Sequence, residues 1–189
     1  MVTSRALYLG FLGLLAAERL FELALSRRNA ARAIARGGRE SGQAHFPLLV
    51  VLHTGFLVSC AVESGFRPFP GAPGWTALGV ALFAQGLRYW AVASLGDRWN
   101  VRVIVVPGDP PVERGPYRFV RHPNYAAVVL EMAAVPLIHG CYWTAAVFSA
   151  LHGLALRVRI RAEEAALGPA WKSAFSARPR FLPGGGSRG

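Results

Sequence analysis

The sequence predicts an all-α, polytopic integral membrane bundle of about five transmembrane helices, and three observations carry that prediction. Hydrophobic residues make up 53% of the 189, and mean hydropathy is positive, too apolar for a soluble domain of this size. Apolar runs of membrane-spanning length recur near 6–25, 46–63, 75–95, 124–139 and 142–160. Arginine is concentrated in alternate connections: Arg27, Arg28, Arg32, Arg36 and Arg39, then Arg98, Arg102, Arg114, Arg118 and Arg121, then the tail from Arg157 to Arg188. The intervening segments carry only Arg5 and Arg67.

That alternation is the positive-inside pattern. It predicts an N-terminus outside a bacterial inner or plasma membrane, a C-terminus in the cytoplasm, and three cytoplasmic basic stretches. It also accounts for the net charge of +11, so nucleic acid is not an expected partner; no base-stacking motif accompanies the charge. Membrane lipids are. Tyr8, Trp75, Tyr142 and Trp143 are expected at the outer interface, and Trp99, Tyr117 and Trp171 at the inner one.

The elements follow in order. The first apolar run has Glu18, Arg19 and Glu22 where a signal peptide would carry small cleavage-site residues, so it reads as a retained helix. An Arg/Gly-rich connection leads to the second helix, and the proline-rich turn Gly65 to Gly74 leads to the third. Pro107, Gly108, Pro110 and Pro111 exclude a continuous helix in the long polar connection 97–121. The fourth run is short and calls for tilt, shielding by protein, or partial spanning. A tight turn at Ile138 to Cys141 leads into the fifth helix, which Gly168-Pro169 should stop; Pro183 onward reads as disordered. The whole forms one domain, with N-terminal helices in 1–96 and the loop, helical hairpin and tail in 97–183. Cys60 and Cys141 read as buried free thiols, and the sequence implies no metal site.

Polar residues at membrane edges are costly and therefore informative. Gly115-Pro116-Tyr117 runs into Arg121-His122-Pro123-Asn124-Tyr125 at the start of the fourth helix. Pro123 suits the first helical turn and disfavours a helical His122. Arg159 precedes Glu163-Glu164 by one turn near the end of the fifth helix, so Arg159 and Glu163 share a face. A salt bridge at the membrane edge is the simplest reading of that pair. Against it, arginine before glutamate is the poorer order, and glutamates in a last turn oppose the helix dipole by about 0.3–1 kcal/mol each.

Together these two constellations resemble the signature of the isoprenylcysteine carboxyl methyltransferase family, from about Arg114 to Leu167 and again at Arg180-Phe181-Leu182-Pro183. The family's members move a methyl group from S-adenosylmethionine to a lipid-attached acceptor. The resemblance implies that Arg159 meets the acceptor as the catalytic and substrate-binding arginine. It implies that Glu163 holds S-adenosylmethionine, and that Asp109, Pro110, Pro111, Val112 and Tyr117 line the cofactor. The start of the fourth helix, with its free N–H groups and positive dipole end, is a seat for the cofactor's carboxylate, with His122, Pro123, Asn124 and Tyr125 beside it. One departure from the family pattern is Ala127, where a glycine is usual.

The first half is similar to a bacterial subgroup that O-methylates alkylresorcinols and alkylpyrones, through Glu18-Arg19-Leu20-Phe21-Glu22, Arg27-Arg28-Asn29, His45-Phe46-Pro47 and Leu52-His53. A lipid phenol or pyrone hydroxyl is then the expected acceptor, with an isoprenylcysteine carboxylate as the alternative and a non-catalytic membrane scaffold as a further one. His53 reads either as a satisfied core histidine or as a polar contact to the acceptor. Glu18 and Glu22 share a face, and Arg88 falls at similar depth, which implies either a structural ion pair or a direct catalytic role.

Overall fold

The computed structural model describes residues 2–41 and 45–181. Their order is α1 (Val2–Ala35), β1 (Arg39–Ser41), α2 (His45–Glu63), α3 (Ala72–Leu95), a 3₁₀ turn (Gly96–Arg98), β2 (Val103–Val105), a second 3₁₀ turn (Gly115–Arg118), α4 (Pro123–Leu137) and α5 (Tyr142–Ala174). The five helices fall where the apolar runs place them. Two segments, Phe46–Glu63 and Ala72–Arg98, are long and apolar enough to cross a membrane. Leu82, Phe83, Trp90, Val147, Leu154 and Val158 are exposed on the outside of the bundle, an apolar surface suited to lipid.

The helices run antiparallel to their sequence neighbours, so alternate connections meet at one end. There, Asn29 of α1, fully buried, donates to the Trp99 carbonyl at 2.8 Å and the Gly96 carbonyl at 3.3 Å. Ser26 accepts from Val101 N at 3.0 Å and donates to Asn100 Oδ1 at 2.6 Å. At the opposite end, the Glu63 carboxylate of α2 accepts from the backbone N–H and hydroxyl of Thr144 at the start of α5. Helix α1 is about 51 Å long at 1.5 Å per residue, well beyond a ~30 Å hydrocarbon core. Its last turns are the part that anchors the long loop.

Helix α4 is short and largely surrounded by protein. Pro123, Tyr125, Ala127, Val128, Glu131, Met132, Ala134, Val135 and Pro136 are all buried. Ala81, Ala84 and Ala91 of α3 are fully buried, small side chains that let two helices approach closely. Tyr8 caps this core by donating to the Val135 carbonyl at 3.1 Å. Ala127 is completely buried, so the helix start closes tightly around a methyl group where the family pattern has glycine.

Three expectations need correction. The fold is not purely helical: β1 and β2 form an antiparallel ribbon, Arg39 opposite Val105 and Ser41 opposite Val103. These segments are too short for a periodic signal, and pairing between distant loops creates them. Second, Gly168 breaks α5 with φ 75°, ψ −168°, but Pro169 starts a further helical stretch that runs to Ala174. Third, Trp99, Tyr117 and Trp171 do not form an interfacial belt; they are 2%, 8% and 8% exposed. Tyr8 is likewise inside, whereas Trp75, Tyr142 and Trp143 are exposed at the other end. Leu182 and the residues from Pro183 onward lie outside the described residues.

Candidate active site

The turn before α4 starts from a backbone requirement. Gly115 sits at φ +60°, and a Cβ there would lie 1.9 Å from Ser94 Oγ. Glycine therefore lets Gly115-Pro116-Tyr117 press against the end of α3, where Arg114 Nε also holds the Ser94 carbonyl at 2.8 Å. Tyr117 is thereby directed inward. Burial, and then the nearby Glu163 carboxylate, push its phenol above the ordinary tyrosine range.

The residues after it are fixed by the tail. Arg121 N and His122 N donate to the Pro179 and Arg180 carbonyls at 2.9 and 3.1 Å. His122 is 4% exposed, stacks on Tyr125, contacts the Trp171 ring and places Nε2 3.0 Å from Glu164 Oε1. Arg180 grips the same carboxylate at 2.7 and 3.0 Å. Burial alone would raise the Glu164 pKa, but these two bonds outweigh it and hold the carboxyl below its usual range. His122 is thus a clamp between helix and tail rather than a free donor. The helix start is also less open than the sequence suggested: the N–H groups of Tyr125 and Ala126 both donate to the His122 carbonyl.

At the centre stands Tyr125. Arg159 Nε donates to its hydroxyl at 2.7 Å, and the hydroxyl donates to Glu163 Oε2. The guanidinium lies over the Tyr125 ring, 5.6 Å from its centroid, and Nη2 donates to the Val101 carbonyl. No ion pair joins Arg159 to Glu163; the phenol separates them. Arg159 is 7% exposed, and among the described residues its Nη1 has no hydrogen-bond partner. Asn124 Oδ1 is buried and also unpartnered.

These side chains border one cavity of about 510 Å³, within the usual size range of small-molecule sites. It brings together Asp109, Pro110, Pro111, Val112, Tyr117, His122, Asn124, Tyr125, Arg159 and Glu163. Pro123 is fully buried behind it, as the first residue of α4. His53 does not reach it. It lies on α2 with Nδ1 3.2 Å from Nε2 of His152 and 3.2 Å from the Leu49 carbonyl, a satisfied pair between α2 and α5. The sequence reading missed Asn100, Trp171 and Phe175, together with the arginines of the rim. Arg36 and Arg98 flank Asp109 at 2.5 and 3.6 Å, and Arg32 pairs with Asp97 at 3.0 Å. In the sequence these arginines register only as the charge that sets topology. Trp171 and Phe175 reach the site only because the chain re-enters helix after Gly168.

The arrangement suits S-adenosylmethionine. Its ammonium group needs an acceptor, and the Glu163 carboxylate on the cavity wall is of the right kind. Its adenine needs flat apolar surface, which Tyr117, Trp171 and Phe175 offer. A buried arginine without a carboxylate partner suits an anionic reaction partner.

Residues 77–169 match the isoprenylcysteine carboxyl methyltransferase (ICMT) family, a stretch that runs from α3 to the break in α5. The chain is 38% identical over 157 residues to "Uncharacterized protein YpbQ" of Bacillus subtilis, covering 82% of this chain and 94% of that protein. It is 26% identical over 153 residues to an "Uncharacterized protein" of Haemophilus influenzae, covering 80% and 89%. With the family match and a relative of this similarity over nearly its full length, the chain belongs to the isoprenylcysteine carboxyl methyltransferase family, a family of membrane methyltransferases.

Proposed function

We propose that this protein transfers the methyl group of S-adenosylmethionine to an oxygen of a lipidic acceptor, in the cavity between the loop 97–121 and the end of α5. The observation that carries the reading is the Arg159–Tyr125–Glu163 array. It aligns an unpaired buried guanidinium, a phenol and a carboxylate on one wall of a cavity of cofactor size.

Bound there, the sulfonium supplies an activated methyl carbon, and the leaving product is S-adenosylhomocysteine. The protein's work is then alignment and exclusion of water. Glu163 and Asn124 orient the methionine portion, and Arg159 holds an acceptor oxygen as an anion. Tyr125 keeps Arg159 and Glu163 in register, so the acceptor and cofactor sides of the site are positioned by one hydroxyl. A carboxylate acceptor needs no deprotonation at neutral pH, whereas a phenol, with an ordinary pKa near 10, gains from the guanidinium beside it.

The acceptor we favour is an alkylresorcinol or alkylpyrone hydroxyl, on the resemblance of the N-terminal helices. The family match equally supports an isoprenylcysteine carboxylate. All five helices are read as crossings, the short α4 shielded by its neighbours, with the N-terminus outside and the cavity on the cytoplasmic side, where the cofactor is made.

Calorimetry of S-adenosylhomocysteine binding to the detergent-purified protein tests the cofactor reading: binding is expected, and weakened about tenfold or more in Glu163→Gln. Absence of binding would sink it. A methyl-transfer assay across pH, with an alkylresorcinol and a farnesylcysteine analogue side by side, decides the acceptor. Activity on the phenol should climb above pH 7, while a carboxylate should show a flat profile above about pH 6. Use of the farnesylcysteine analogue alone would select the carboxylate reading.

A further inference from the structure

Helix α5 has a second charged face that the active site does not use. Arg157 and Arg161 are one helical turn apart and exposed, and each lies two residues, about 200° of helix rotation, from Arg159. Neither makes a hydrogen bond or ion pair among the described residues. Both border a separate cavity of about 380 Å³ between α4 and α5, together with Arg180. Arg180 is held at its edge by Glu164. The other walls are apolar: Val129, Leu156, Ile160 and Phe181, with Gly153 one turn of α5 beyond Arg157. A Cβ on Gly153 would meet nothing within 4 Å, so the groove is open there.

A groove that is apolar along its length and ends in three guanidiniums matches one amphiphile, with an anion at one end and a hydrocarbon chain at the other. We infer that this groove holds an anionic phospholipid, its phosphate on Arg157, Arg161 and Arg180 and one acyl chain lying over Gly153. Charge complementarity selects the headgroup, since no counter-ion faces Arg157 or Arg161 among the described residues. The open apolar track selects a lipid over a free anion. The site is independent of the methyl-transfer reading, because it lies on a different face of α5 and shares none of the groups assigned to that chemistry.

Native mass spectrometry of the detergent-solubilised full chain tests it, with phosphatidylglycerol and phosphatidylcholine of matched acyl chains as probes. The protein should retain phosphatidylglycerol about tenfold better than phosphatidylcholine. That preference should disappear in the double variant Arg157→Gln/Arg161→Gln. Gly153→Leu, whose Cβ would meet nothing within 4 Å and which favours helix, should lower retention by a similar factor while circular dichroism and the thermal midpoint stay unchanged. Equal retention of the two lipids would overturn the inference. So would phosphatidylglycerol binding indifferent to Gly153→Leu, or its displacement by glycerol phosphate at equal concentration, since either would reduce the groove to a bare anion site.

Discussion

Arg88 and Arg159 are both buried in apolar helices, 6% and 7% exposed, yet their surroundings are opposite. Arg88 of α3 donates from Nε and Nη2 to the Glu22 carboxylate at 2.6 and 2.7 Å, and its Nη1 lies 3.7 Å from Glu131. Arg19 joins the same cluster through Glu18 at 3.1 Å, Glu22 at 2.9 Å and Glu131 at 3.6 Å, while Gln85 donates to Glu18 at 2.5 Å. Arg159, by contrast, has only neutral acceptors, a phenol and a backbone carbonyl.

The two environments show what each charge is for. In the first cluster every guanidinium meets carboxylates from other turns or helices, so its electrostatic capacity is consumed in joining α1, α3 and α4. That is the structural reading of Glu18, Glu22 and Arg88, with Glu131 as a partner that the sequence reading did not identify. In the second, a buried cation is left uncompensated, an arrangement that costs stability and gains attraction for an incoming anion.

This contrast can be broken from either side. The largest effect is expected from Arg88→Met. It leaves Arg19 alone to offset Glu18, Glu22 and Glu131 in an apolar interior, a loss of about 3–5 kcal/mol, read as a steep fall in thermal midpoint and yield. Adding Glu22→Gln to Arg88→Met should recover part of it. If Arg88→Met is as stable as the parent, the cluster is not what joins the helices.

Arg159→Lys should do the reverse. Its thermal midpoint should stay near the parent's, because no carboxylate loses a partner. Turnover should fall about tenfold or more, with little change in S-adenosylhomocysteine affinity, since an ammonium cannot hold Tyr125, Val101 and an acceptor oxygen in one plane. Full activity in this variant would return Arg159 to a structural role.

The smallest effect concerns Glu164, which borders the site but is paired. Its carboxyl is held below the usual range, so its folded form is favoured as the anion. The resulting stabilisation is fully present above the ordinary glutamate pKa and is lost as pH falls through the lower folded value. Glu164→Gln should therefore flatten the loss of thermal stability on acidification below about pH 4.5 and leave the neutral-pH slope unchanged. An unaltered acid limb would show that the His122–Glu164–Arg180 clamp contributes nothing to folding.

Much of this was legible in the chain itself. Apolar runs placed all five helices, because hydrophobic length is a local property that packing rarely overrides. The interval of four between Arg159 and Glu163 set them on one face, and Pro123 marked the helix start. The tertiary structure decided the rest. The Tyr125 hydroxyl comes between Arg159 and Glu163 although it is 34 residues from the arginine, and that turns an apparent salt bridge into a three-part site. Glu131 completes the buried cluster, His53 pairs with His152 away from the cavity, and the 39–41 and 103–105 segments become a ribbon only on meeting. Each of these depends on where distant segments dock, and docking is set by the summed packing of all five helices. Local spacing determined which face a residue occupies; only assembly of the bundle determined what that face meets.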